Sequence, residues 1–111
     1  MTRTSFIGSG MLSVLLCAAA PTAAENRLVA KVAAAVKHNR LAPTTCLQYT
    51  AVPGSTADDD VVRVSRQHGG TCGGDPSVDE HLFDVHVDRP TGTMTTNARD
   101  PEGLEETPLA P

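Results

Sequence analysis

The stretch HLFDVHVD, residues His81 to Asp88, has the cleanest two-residue period in the chain and decides the fold. Phe83, Val85 and Val87 form one set of alternate positions, as in a strand with one face in the core and the other in water. The positions between them, Leu82, Asp84, His86 and Asp88, form the second set, which is mostly polar. This pattern places His81 and His86 on opposite faces and predicts a half-buried strand.

The residues after this strand predict a hairpin. Arg89-Pro90-Thr91-Gly92 suits a type I turn, since proline fits its second position and glycine its fourth. Residues 93–96 can then return as a neighbouring strand. Residues 97–111 contain prolines and glutamates but few large apolar side chains, so we expect a disordered tail there.

Two more strands and a helix are predicted before the hairpin. Residues 46–51 alternate up to a Pro53-Gly54 turn, and residues 61–66 are β-branched and alternating. Residues 26–40 carry apolar side chains at spacings of three and four, which indicates an amphipathic helix with Leu28, Val32 and Val36 on its apolar face.

This order of elements predicts an α+β fold in a single domain, residues 25–96. One N-terminal helix should pack on a curved antiparallel sheet of about four strands. We expect the apolar face of the helix to cover Phe83, Val85 and Val87.

The first 24 residues are typical of a secretory signal peptide. Arg3 supplies a positive charge, residues 7–20 are apolar but too few to span a bilayer, and Thr22-Ala23-Ala24 offers a cleavage point. We therefore expect a periplasmic or secreted protein with no membrane anchor after cleavage. Leu16 disfavours lipidation of Cys17, because a small residue should precede a lipidated cysteine.

Cleavage after Ala24 would remove Cys17 and leave Cys46 and Cys72 in an oxidising compartment, which predicts a disulfide between them. The chain has two phenylalanines, one tyrosine and no tryptophan, so its core is small and depends on this covalent link. The net charge of −4, more negative after loss of Arg3, makes nucleic acid and anionic lipid poor partners and allows a basic protein.

The glycine-rich segment around Cys72 is the candidate binding loop. Paired glycines permit positive φ angles and close approach to another surface, and a disulfide would lower the entropy lost on binding. The predicted loop residues are His68, Gly69, Gly70, Thr71, Gly73, Gly74 and Asp75, with the first and last as polar handles. The loop could instead only close the disulfide, and both interpretations stay open.

Other chemistry is disfavoured by spacing and size. The residues available for a metal site are His68, Cys72, His81 and His86, which lack the paired spacing of a zinc site. Asp58-Asp59-Asp60 lacks a calcium-loop pattern and suits a solvated turn. An oxidised Cys72 is no nucleophile, and a glycosidase carboxylate pair has little room for its substrate cleft. We predict no enzymatic activity, metal or cofactor.

The closing hairpin, residues 82–94, resembles the end of small exported PepSY-like domains: an aromatic residue, alternating valines, an aspartate and then Thr-Gly. The resemblance covers residues 26–96, and the Cys72 segment with its disulfide departs from that pattern. It implies a non-catalytic module that binds or inhibits extracytoplasmic hydrolases, and it carries no catalytic residue.

The sequence thus predicts a non-enzymatic exported module that binds an extracytoplasmic protein through its disulfide-anchored loop. Two alternatives stay open. One is an inhibitor of an extracytoplasmic cell-wall hydrolase or protease, and the other is a periplasmic metal-binding protein.

Overall fold

The computed structural model describes residues 20–111, which form one α-helix, five β-strands and a short 3-10 turn. The predicted signal peptide therefore lies outside the described residues except for its last few positions. The elements are α1 (Ala23–His38), β1 (Leu47–Pro53), β2 (Asp59–Arg66), the 3-10 turn (Gly70–Cys72), β3 (Glu80–Asp88), β4 (Met94–Thr96) and β5 (Thr107–Leu109).

Helix α1 begins with a capping box. The Thr22 hydroxyl accepts the Glu25 N–H at 3.1 Å, and the Glu25 carboxylate accepts the Thr22 N–H at 2.9 Å. These bonds satisfy two backbone donors that the first helical turn leaves free. The predicted cleavage point after Ala24 falls within this turn, and a cut there would remove the cap, which typically contributes about 0.5–2 kcal/mol.

The strands form one antiparallel sheet in the order β1-β2-β3-β4-β5, with each strand beside its neighbour in sequence. Helix α1 packs on one face of this sheet and contacts β1 and β2. The predicted α+β architecture is confirmed, with a fifth strand beyond the four expected.

The core lies between α1 and the sheet, and it is made mainly of valines. Phe83, Val85 and Val87 are buried, as predicted from the alternation in β3, and Leu28 packs against the same cluster. The other buried apolar residues of this cluster are Val32, Ala35, Val36, Val62, Val64, Met94 and Leu109.

A β-bulge interrupts the alternation at the start of β3. Val64 pairs with Phe83 and Ser65 pairs with His81, so Leu82 is an extra residue on β3. Leu82 packs against the core instead of facing outward. The His81 ring lies 2.9 Å from the carboxylate of Asp84, which is on the face opposite Phe83. The prediction put Leu82 on the same face of the strand as Asp84, and His81 on the face opposite His86. It is wrong at this bulge.

The segment expected to be a disordered tail, residues 97–111, instead completes the sheet. Leu109 is 7% exposed and pairs with Met94 across β4 and β5. The Asn39 side chain, at the end of α1, donates to the Ala110 carbonyl at 2.9 Å and accepts the Ala110 N–H at 3.3 Å. The prediction of a disordered tail is wrong, because apolar burial and long-range hydrogen bonds order the short strand β5.

We expect Leu109→Ala to lower the free energy of unfolding by about 2–4 kcal/mol, because it removes a buried side chain from the core. Leu104→Ala is the matched control. Leu104 is 81% exposed in the same segment, so its loss should change stability by no more than about 0.5 kcal/mol. Urea denaturation of both variants measures the difference, and equal losses would show that β5 contributes nothing to the core.

Within residues 20–111, no helix is long and apolar enough to cross a membrane. The Cys46–Cys72 disulfide is consistent with an oxidising, extracytoplasmic compartment.

Candidate functional site

A disulfide fastens the loop between β2 and β3 to the start of β1. Cys46 and Cys72 are joined, as predicted, with their Cα atoms 5.7 Å apart. Beside this link, the Gln67 N–H donates to the Cys46 carbonyl at 2.8 Å. The segment that follows, residues 68–76, is called the Cys72 loop below.

Two glycines of the Cys72 loop are required by the backbone and by close packing. Gly69 has φ +98° and Gly74 has φ +77°, backbone angles that residues other than glycine rarely adopt. A Cβ atom at Gly69 would lie 2.7 Å from Cβ of Pro76, and one at Gly74 would lie 2.7 Å from Nδ1 of His68. The loop is also closed internally by the Gly69 N–H, which donates to the Gly73 carbonyl at 2.6 Å. It is therefore compact, with its backbone path fixed.

His68, one of the two predicted polar handles, is largely buried and contacts another residue of this protein instead of facing solvent. Its side chain is 19% exposed, and its Nε2 lies 3.2 Å from the carboxylate of Glu80. Glu80 also lies 3.4 Å from Nε of Arg66. The His68 ring thus links the Cys72 loop to the beginning of β3.

Asp75, the second predicted handle, is exposed and organises the end of the loop. Its carboxylate accepts the Ser77 backbone N–H at 2.9 Å and the Ser77 hydroxyl at 2.8 Å. These hydrogen bonds hold the pKa of Asp75 below its usual range. Thr71 is exposed as well, whereas Gly70 and Gly73 leave open space beside their Cα atoms.

The segment after the Cys72 loop forms a cleft against the sheet face that α1 leaves uncovered. This outer cleft has a volume of about 530 Å³. Val78, 50% exposed, lies at its wall. The lining residues are Gln48, Thr50 and Val52 of β1, Arg63, Ser65 and Arg66 of β2, and Gln67, His68, Pro76, Ser77, Val78 and Asp79 of the connecting segment.

The two arginines of the outer cleft keep partly exposed guanidinium groups. Arg63 lies 3.8 Å from the Asp84 carboxylate and Arg66 lies 3.4 Å from Glu80, with both arginine side chains more than 40% exposed. Each positive charge therefore has a carboxylate nearby and still faces solvent.

Sequence reasoning located the Cys72 loop but missed the outer cleft. Three separate parts of the chain build it. The polar alternation of Gln48 and Thr50 in β1, and of Arg63 and Ser65 in β2, indicated the outward face but not the cleft. The exposure of Val78 has no counterpart in the sequence pattern.

Three of the four histidines of the described region, His68, His81 and His86, pair with separate carboxylates. His81 contacts Asp84, and His86 lies 3.3 Å from Asp59. In the part of the chain that the structure covers, no three histidine, cysteine, aspartate or glutamate side chains gather where they could hold a metal ion.

Of the aspartates at positions 58–60, Asp58 lies in an exposed turn as expected, whereas Asp59 and Asp60 begin β2. Asp60 accepts a hydrogen bond from Nε of Arg89 at 3.3 Å. The hydrogen bond from Arg89 lowers the pKa of Asp60. These side chains therefore serve cross-strand pairing.

No family model, curated protein or solved structure matches this chain. The resemblance to PepSY-like domains therefore stays a prediction.

Proposed function

We propose that this protein is a non-enzymatic, exported module of the periplasm or extracellular space, and that it binds a protein partner. Its binding surface is the outer cleft together with the Cys72 loop. The observation that supports this proposal is a cleft of about 530 Å³ that is lined in part by His68 and Pro76, the two end residues of the disulfide-anchored Cys72 loop.

The rigidity of this surface favours binding. The Cys72 loop is fixed by its disulfide, its internal hydrogen bonds and its packed glycines, so little conformational entropy is lost when a partner engages it. Because the loop is already ordered, the free energy of its contacts with a partner contributes to affinity and is not offset by the cost of ordering the loop.

The chemistry of the surface also suits a protein. Val78 provides an exposed apolar contact, and polar side chains from β1 and β2 surround it. An apolar centre with a polar rim is the usual composition of a protein interface. Since His68 is engaged with Glu80, the contact extends from Gly69–Asp75 onto Val78 rather than resting on His68 as a free handle.

The test compares two surface variants, Val78→Asp and Leu104→Asp. Val78 and Leu104 are the exposed large apolar residues of the described region, and they lie in different loops. The purified oxidised protein captures partners from an extracytoplasmic extract, mass spectrometry identifies them, and affinity is then measured with each purified partner. We expect Val78→Asp to weaken binding by about tenfold or more, roughly 1.4 kcal/mol, and Leu104→Asp to leave it unchanged.

The opposite result, a loss with Leu104→Asp alone, would move the interface to the loop at residues 100–106. The absence of any partner that binds saturably would contradict the proposed function. A captured hydrolase or protease that loses activity in the complex would identify the module as an inhibitor.

A further inference from the structure

The outward edge of β1 has backbone groups without hydrogen-bond partners among residues 20–111. β1 is the first strand of the sheet and pairs with β2 on one side only. The Cys46 carbonyl accepts the Gln67 N–H, and hydrogen-bonded positions alternate along an antiparallel pair. The N–H and C=O groups of Leu47, Tyr49 and Ala51 therefore point away from β2, towards the free edge.

The two edges of the sheet differ in how they are protected. β5, at the far edge, has three residues and contains Pro108, which has no N–H to donate. β1 has seven residues without a charged side chain, and its pairing with β2 has no bulge. Short length, charge, proline and bulges are the usual features that stop an edge from pairing with another strand. In β1, Pro53 is the one such feature, and it stands at the strand's last position.

Space for side chains lies on both sides of this free edge. On the α1 side, a second cavity of about 280 Å³ lies between the start of the helix and β1. Its lining residues are Pro21, Glu25, Asn26, Val29, Tyr49, Thr50 and Ala51. On the other side lies the outer cleft, lined by Gln48, Thr50 and Val52 of the same strand. Successive side chains of an extended strand point in opposite directions, so a strand added at β1 would fill both spaces in turn.

We propose that β1 binds an extended peptide segment of the partner as a sixth strand of the sheet. The peptide pairs its backbone with the free groups of Leu47, Tyr49 and Ala51. This inference rests on the proposed function and specifies how the partner is recognised. Backbone pairing supplies affinity in this mode, and the cavities beside the strand select alternate side chains.

The lining residues define the peptide that fits. Towards α1, the side chains of Val29 and Tyr49 favour an apolar residue. Towards the outer cleft, the side chains of Gln48 and Thr50 favour a polar residue. A peptide suits this edge better than a second copy of the chain, because copies with a net charge of −4 repel each other.

The first experiment maps the contact without altering the protein. A phage-displayed library of random nine-residue peptides is selected on the full oxidised protein, and selected peptides are synthesised. Hydrogen exchange of backbone amides is then followed by NMR with and without peptide. We expect the amides of Tyr49 and Ala51 to exchange fast in the free protein and about tenfold or more slowly in the complex, while Thr50 and Val52 are protected in both.

The second experiment removes one edge donor. Ala51→Pro deletes the outward N–H and no hydrogen bond to β2, while Ala51→Ser keeps the N–H in a side chain of similar size. We expect Ala51→Pro to weaken peptide binding by about tenfold or more, and Ala51→Ser to bind like the unaltered protein. The melting temperature of Ala51→Pro shows whether it is folded, and the exchange experiment does not depend on this variant.

Several results would overturn strand addition. They are failure to select any binding peptide, equal binding by the two Ala51 variants when both are folded, and unchanged exchange at Tyr49 and Ala51. A concentration-dependent dimer that protects these amides without peptide would assign the edge to a second copy. Protection confined to residues 69–75 would reject strand addition and leave the proposed function standing, since the Val78 comparison tests that function separately.

Discussion

Phe83→Ala is expected to lower the free energy of unfolding by about 3–5 kcal/mol in a urea titration. Phe83 is 5% exposed and lies in the valine-rich core between α1 and the sheet. It is the one phenylalanine of the described region, and the buried residues around it are mainly valines, which are too small to fill the space that it leaves. The cavity should therefore remain and cost stability in full.

Asp84→Ala is the matched control for this substitution, since it changes the next residue of the same strand on the opposite face. Its carboxylate contacts Arg63 and His81, and exposed pairs of this kind contribute about 0–1 kcal/mol each. A loss from Asp84→Ala as large as that from Phe83→Ala would place the wrong face of β3 in the core.

Removing the disulfide has the second large effect. The double variant Cys46→Ser with Cys72→Ser should be destabilised by about 3–4 kcal/mol, because the link closes a span of 26 positions and restricts the unfolded chain. Changing both residues avoids a free thiol that could form links between molecules. Thermal and urea unfolding of the oxidised protein and the double variant measure the loss.

Peptide mapping without reduction supplies the control, and it should show one cross-linked pair that contains both cysteines. Free thiols at Cys46 and Cys72 in protein purified from an oxidising compartment would contradict the pairing. A loss of less than about 1 kcal/mol in the double variant would mean that residual structure already restricts the unfolded chain without the disulfide.

The main strands were predictable because side-chain alternation is a local property. The pattern of β3 gave its buried face correctly from Phe83 onward, and that face is set by the cost of burying Asp84 and His86. The bulge at Leu82 was not predictable, since it depends on how β2 and β3 come into register. β5 was missed because a three-residue strand has too short a pattern, and its order comes from contacts with Met94 and Asn39 far away in sequence.

Of the candidate site, only the Cys72 loop and its disulfide were predictable from the sequence. Cysteine count and glycine content located the Cys72 loop and its disulfide. The inward position of His68 depends on the space beside Gly74 and on the carboxylate of Glu80, and no local pattern reveals either contact. The outer cleft likewise requires the tertiary placement of Val78 against β1 and β2.

The Cys46–Cys72 disulfide also limits the exchange of elements between molecules. In a domain-swapped dimer, α1 and β1 of one chain would leave their own sheet and complete the sheet of another, with the β1–β2 connection as hinge. Cys46 lies in the part that would leave, and Cys72 lies in the part that would stay. Once a chain has closed its own disulfide, swapping requires that bond to be broken, so the oxidised protein keeps its edge strand for its own sheet.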